Sequence, residues 1–106
     1  MTKATTTLSL FLLFITILSS CKNAPVACFQ VTTPADSIRV GHPVIFNASC
    51  SSDATAYYWD FGNGQTGSTA PTAQTIYDSV ATYTVALIVG NSGKSASLTK
   101  NITVLP

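Results

Sequence analysis

The chain is short of charge: 8% of its 106 residues are charged, and its four acidic side chains, all aspartates, stand against five lysines and arginines. Nucleic-acid recognition rests on neutralising phosphates with clustered cations. No basic cluster occurs, so no nucleic-acid partner is expected. Histidine is present once, as His42 in Gly41-His42-Pro43, without a cysteine, a serine elbow or an acid beside it in sequence. Catalysis and metal binding both need several convergent groups, so His42 is expected to serve neither. Asp36, Asp53, Asp60 and Asp78 are spread along the chain rather than paired as glycoside hydrolysis requires. These shortages set aside an enzyme, a metal and a cofactor. The only long apolar run, Leu8 to Leu18, has eleven residues, whereas a helix needs roughly 20 to cross a bilayer.

That run follows Lys3 and a Thr-rich spacer and leads into Ser19-Ser20. A positive start, an apolar stretch and small residues describe a secretory signal peptide, residues 1–20. Leu18-Ser19-Ser20-Cys21 also resembles a bacterial lipobox. The resemblance implies that Cys21 is acylated and becomes the first residue of the mature protein, so that a lipid replaces the removed segment as membrane anchor. Residues 21–25 then form a short tether, and 26–106 one small domain. Five tether residues reach at most roughly 17 Å, which holds the domain close to its membrane. Lys22, after the lipid-bearing cysteine, lacks the aspartate associated with inner-membrane retention, so the outer membrane is the expected location. Removal of residues 1–20 also leaves Lys22, Arg39, Lys94 and Lys100 against the four aspartates, a formal side-chain charge of zero.

With Cys21 assigned to lipid, Cys28 and Cys50 remain as a pair in an exported chain. Oxidising compartments favour cross-links in small domains, so a disulfide is expected over the alternative of two buried free cysteines. Alternation and turn residues place strands at about 26–32, 43–49, 56–61, 72–77, 81–89 and 94–104, with a short extended patch at 37–40. In 81–89, Tyr83, Val85, Leu87 and Val89 alternate with small or polar residues, and Gly90-Asn91-Ser92-Gly93 is a hairpin signal. No segment of the mature chain shows a helical period. The pattern is that of an all-β sandwich of about seven short strands.

Tyr57, Trp59 and Phe61 share one side of the central strand, which is assigned to the core, and Asp60 is placed to cap the Gly62-Asn63-Gly64 turn. A calcium role for Asp60 would need several oxygen ligands, and Asp53 is the only other acid close in sequence. The order Gly41-His42-Pro43-Val44-Ile45-Phe46-Asn47-Ala48-Ser49, Tyr58-Trp59-Asp60-Phe61-Gly62-Asn63-Gly64, Thr75-Ile76-Tyr77 and Ala81-Thr82-Tyr83-Thr84-Val85 resembles the polycystic kidney disease (PKD) domain. The resemblance spans about residues 26–104. It implies an immunoglobulin-like β-sandwich used extracellularly for binding, adhesion or spacing in surface proteins and polysaccharide-degrading enzymes. Asn63 stands where the family usually has aspartate, and Val80-Ala81 where it usually has Pro-Gly. The placing of the cysteines is similar to that in lipid-anchored relatives from Bacteroidetes-type bacteria.

Tyr58 faces away from the core on this reading, where it can stack on a sugar ring or a partner surface. Asn63, Gln65 and Thr66 beside it complete the candidate binding surface. Asp36-Ser37-Ile38 and Asp78-Ser79-Val80 resemble the acceptor triplet of Bacteroidetes protein O-glycosylation, which makes Ser37 and Ser79 candidate modification sites. The function expected is a non-catalytic lipoprotein module for protein–protein interaction, adhesion or spacing, anchored through Cys21 and associated with a surface protein complex. The alternative is a polysaccharide-binding module.

Overall fold

A computed structural model of the chain describes residues 23–66 and 69–106. The signal segment, Cys21 and Lys22 lie outside the described residues. Among the described residues six strands follow one another: β1 (Gln30–Val31), β2 (Pro43–Asn47), β3 (Ala56–Asp60), β4 (Thr72–Ile76), β5 (Ala81–Asn91) and β6 (Lys94–Val104). A single 3-10 turn, Ala35–Ser37, lies between β1 and β2. The strands form two antiparallel three-stranded sheets, β1-β2-β4 and β3-β5-β6. Face to face they make the immunoglobulin-like β-sandwich that the PKD resemblance implies.

Alternation in the sequence becomes the two faces of each sheet. Val44 and Phe46 of β2, Ala73 and Thr75 of β4, and Val85, Leu87 and Val89 of β5 are buried, with Ile102 and Val104 of β6. Between the sheets Phe29, Phe46, Trp59 and Phe61 form one aromatic cluster, with ring centroids 5.2 to 6.3 Å apart. Trp59 has no exposed surface, and its indole N–H donates to the Ala70 carbonyl at 2.9 Å. That bond satisfies the one polar atom a buried tryptophan brings. Tyr57, assigned to the core, is only half-buried at its edge.

The first strand is much shorter than its apolar pattern suggests. Only Gln30 and Val31 pair with β2, while Val26 makes an isolated bridge to Ser52 and is 58% exposed. Between them the Ser51 hydroxyl accepts from the Cys28 N–H at 2.9 Å and donates to the Cys28 carbonyl at 2.7 Å. A side chain thus replaces the ladder there. Cys28 and Cys50 are joined by a disulfide across 22 residues of sequence, with Cα atoms 5.3 Å apart. The patch at 37–40 is not extended throughout. The 3-10 turn occupies Ala35–Ser37, after which Arg39 forms a parallel bridge to Leu105. Leaving β1 at Thr33-Pro34, the chain therefore crosses from one sheet to the edge of the other.

At the β5–β6 turn, Ser92 and Gly93 have φ of 51° and 83°. Positive φ at both central residues is the two-residue hairpin geometry whose twist matches the strands. Asn91, buried, donates through Nδ2 to the Asp53 carbonyl at 2.7 Å. The hairpin tip, the disulfide and Asn23 share one end of the sandwich. Residues 78–80 and Pro106 lie at the other.

Candidate interaction surface on the aromatic strand

β3 is the edge strand of a sheet packed on one side against the other, so one of its faces packs on the core and the other meets solvent. Trp59 takes the first; Tyr58, 43% exposed, takes the second. Directly opposite Tyr58 on β5 is Ile88, 41% exposed, and beyond it on β6 is Ser97. The next rung holds Asp60, Ala86 and Thr99. Further along, the Thr84 hydroxyl donates to Asn101 Oδ1 at 2.8 Å, and the hydroxyls of Thr82 and Thr103 are 3.4 Å apart. The result is a polar sheet face with one adjacent tyrosine–isoleucine pair near its β3 edge. On the other sheet's outer face Ile45 and Ile76 are also exposed, but each faces a different partner, Gln74 and Pro43.

The four residues proposed from sequence as one surface separate into two pairs. Thr66 bridges Asp60 across the open side of β3, and residues opposite one another in an antiparallel pair share a face, so Thr66 joins Tyr58. Asn63 and Gln65 turn the other way. Asn63 Nδ2 donates to Thr75 Oγ1 at 3.0 Å and to the Ile76 carbonyl at 3.1 Å. Its Oδ1 accepts from the Gln65 N–H at 3.1 Å, and Gln65 Oε1 accepts from the Thr75 hydroxyl at 2.7 Å. Together these bonds pin the turn after β3 to β4 and close that side of the sandwich. The role is structural, and it removes Asn63 and Gln65 from the Tyr58 surface. Asp60 Oδ1 accepts from the Gly62 N–H at 3.0 Å, which caps the turn.

Tyr77, part of the family resemblance but given no role from sequence, holds the same corner from inside. Tyr77 is fully buried, and its hydroxyl donates to the Phe61 carbonyl at 2.7 Å. Its ring lies 4.4 Å from that of Tyr83, whose own hydroxyl donates to the Ser79 carbonyl at 2.9 Å. Burial, then the neighbouring Tyr83 and Asp60, push the Tyr77 phenol well above the ordinary tyrosine range. Its order, a tyrosine following an alternating strand, gives no hint of that bond. Ser79 and both its neighbours are exposed, whereas Ser37 sits in the 3-10 turn, 3.4 Å from Asp36 Oδ1, and is followed by buried Ile38. Among the described residues no three His, Cys, Asp or Glu side chains group as a metal site would require.

The PKD domain family matches residues 28–104, which include every strand and both disulfide cysteines. The chain belongs to the PKD domain family. PKD domains are typically non-catalytic accessory modules. Among solved structures, this domain is similar to the PKD1 domain of Vibrio anguillarum Epp, with 32% identity and a TM-score of 0.64 over 81% of this chain and 100% of that one. It is likewise similar to the PKD1 domain from the Vibrio cholerae metalloprotease PrtV, with 34% identity and a TM-score of 0.64 over 79% of this chain and 100% of that one. Both of those chains are covered from end to end, so each is a PKD fold solved by itself. A third match is a structure described as a basis for the promiscuous specificity of carbohydrate-binding modules from the β-sandwich superfamily. Identity there is 41% and the TM-score 0.71; 80% of this chain is covered but only 36% of that one, so the PKD domain spans about a third of that protein. No curated protein matches the chain significantly.

Proposed function

We propose that this PKD domain is the non-catalytic interaction module of an exported lipoprotein, tethered through acylated Cys21 to the outer membrane and contacting a surface protein complex through the Tyr58–Ile88 face. The supporting observation is the side-by-side exposure of these two large side chains, 43% and 41%, on a sheet face otherwise lined by polar and small residues, among them Asp60, Ala86, Ser97, Thr99 and Asn101. A tyrosine ring beside an aliphatic group gives an apolar centre with a polar rim, the anatomy of a small protein interface. A photo-crosslinking residue placed at position 88 in cells tests this directly. A discrete adduct that disappears with Tyr58→Ala supports the reading, and crosslinking to lipid or solvent alone refutes it. Lipid attachment is tested separately, because Cys21→Ala releases the protein from membranes if acylation anchors it.

A second reading, polysaccharide binding at the same face, is favoured by the 41% identity to the structure described for carbohydrate-binding modules. Sugar rings stack on exposed aromatic faces, and Thr66, Asp60 and Thr99 supply hydrogen-bonding groups near Tyr58. A glycan array with residues 23–106 separates the readings. Binding that falls with Tyr58→Ala selects the second, and an empty array selects the first. Of the two candidate O-glycosylation sites, Ser79 is favoured over Ser37, because the whole Asp78-Ser79-Val80 triplet is accessible while Ile38 is buried. An intact mass that Ser79→Ala lowers only by the one oxygen of the lost hydroxyl rejects it.

A further inference from the structure

The edge of the sandwich opposite β3 has features that the Tyr58 face does not share. Because the β5–β6 turn has two residues, Asn91 and Lys94 form a hydrogen-bonded pair. Every second residue from Lys94 onward then directs its N–H and C=O toward β5. The intervening residues, Ser95 through Leu105, direct theirs outward. Leu105 uses its pair: its N–H donates to the Ile38 carbonyl and its carbonyl accepts from the Val40 N–H, both at 2.9 Å. Among the described residues no backbone bond reaches the outward groups of Ser95, Ser97, Thr99, Asn101 or Thr103. The open edge is therefore roughly 27 Å long at the rise of an antiparallel strand.

At its far end a cavity of about 430 Å³ opens beneath the segment that crosses between the sheets, with Val31, Pro34, Ile38, Ile102 and Leu105 as its apolar lining. The strand switch explains it. β1 stops at Val31, where its pairing with β2 ends, the 3-10 turn carries the chain over, and Arg39 then bridges Leu105, the residue after β6. The cations gather along the same edge, with Asp36 of the 3-10 turn as the acid near them. Arg39, Lys94 and Lys100 are the cations of the described residues, and all three lie on β6 or on the segment bridged to it. Lys100 shares the core-facing side of β6, where its Nζ donates to the Phe29 carbonyl at 2.7 Å and sits 5.1 Å from that ring's centroid. β6 itself carries no acid.

We propose that this edge is a peptide-binding site, which takes an extended acidic segment of a partner protein as an antiparallel strand beside β6 and one of its apolar side chains in the cavity. Main-chain bonds supply the pairing, and the cavity and the lysines supply the choice of sequence. Its volume lies within the range of small-ligand sites, about 300–1,000 Å³, room enough for one large apolar side chain such as phenylalanine. The cations weigh against the obvious rival. A second copy paired through its own β6 brings only more lysines to the edge, and every register that sets Lys94 or Lys100 opposite a lysine is destabilised by like charge. An acidic strand reverses that sign. In antiparallel register a side chain opposite Ile102 faces the cavity, and those opposite Lys100 and Lys94 meet the ammonium groups.

The test is a titration of isotopically labelled domain, residues 23–106, with the acetylated and amidated probe Thr-Phe-Thr-Asp-Thr-Val-Thr-Ala-Thr-Asp, followed by amide exchange. Slowed exchange at Ser97, Thr99 and Asn101, with little change at Leu98 and Lys100, is the expected result. Thr99→Pro removes an outward donor without touching the β5 ladder and is expected to weaken binding at least tenfold, as is replacing both probe aspartates by lysine. Ala35→Trp, which fills the cavity mouth, is a second variant that leaves β6 intact. Retained protection of the even-numbered β6 amides verifies that each variant is folded. No binding at millimolar probe, equal binding of the lysine probe, or edge protection that appears with protein concentration alone overturns the proposal. Tyr58→Ala is expected to leave probe binding unchanged, so failure here is distinct from failure at the Tyr58 face.

Discussion

Replacing Gly62 by alanine asks whether the turn after the aromatic strand is held by backbone conformation or by contact with the opposite strand. Gly62 has φ of +79°, and a Cβ there would stand 2.5 Å from the Thr84 carbonyl oxygen and 3.3 Å from its carbon and nitrogen. Gly64, two residues on, has φ of +87° and nothing within 4 Å of the same construction. Both alanines incur the left-handed penalty of about 1–2 kcal/mol, and both recover about 0.4–1 kcal/mol from a stiffer unfolded chain. Only Gly62 adds overpacking, typically about 1–3 kcal/mol. The atom it meets belongs to the middle of β5, where Thr84 faces Asn101 and bonds to it. The expected loss is therefore about 2–4 kcal/mol for Gly62→Ala and about 1 kcal/mol for Gly64→Ala. Urea denaturation of residues 23–106, followed by fluorescence of buried Trp59, measures both. At a slope of about 1 kcal/mol per molar, midpoints differ by about 2 M. Equal losses at the two positions would show that contact with Thr84 is not what constrains the turn.

Reduction, or replacement of both Cys28 and Cys50 by serine, is expected to cost about 3 kcal/mol from loop closure over this separation, read as a lower urea midpoint in reductant for the wild type alone. Asn63→Asp restores the residue usual in the family yet removes both Nδ2 donors to β4, so a loss of about 1–3 kcal/mol is expected, and wild-type stability in the variant would refute the assigned bonds. Tyr77 keeps its proton in the folded state while the unfolded chain ionises near the ordinary tyrosine value, so its stabilisation is complete below about pH 10. Above that, stability falls by about 1.4 kcal/mol per pH unit, and Tyr77→Phe is expected to flatten the alkaline slope while leaving the Phe61 carbonyl without its donor.

What the sequence made legible was the part of the chain with a period. In β5 and β6 the alternation of Val85, Leu87 and Val89, and of Ile102 and Val104, fixes face and register together, because a shift by one residue would expose every apolar side chain. The aromatic strand was equally clear for Trp59 and Phe61. Where side chains replace backbone partners, the period carries no information. Ser51 satisfies Cys28 through its hydroxyl and shortens β1, although Val26, Phe29 and Val31 look like one strand. Loop side chains are harder still. Nothing in Gly62-Asn63-Gly64-Gln65 says that both amides reach across to Thr75, and so the surface drawn around Tyr58 was too wide. Lys100 stands among apolar residues on its side of β6, and only the fold reveals that its ammonium group closes the gap to Phe29.

The disulfide also decides how the domain would respond to tension between its two ends. A pull on Asn23 arrives at Cys28 and passes through the sulfur atoms to Cys50, whose sequence separation is 22 residues. The two-residue β1, the 3-10 turn and β2 lie outside that line and carry none of the force. Roughly 75 Å of contour, at about 3.4 Å per residue, is thereby withheld from extension. Stretched between its termini, the oxidised domain unravels as a shorter chain than the reduced one, and its shortest strand is not the first to be peeled away.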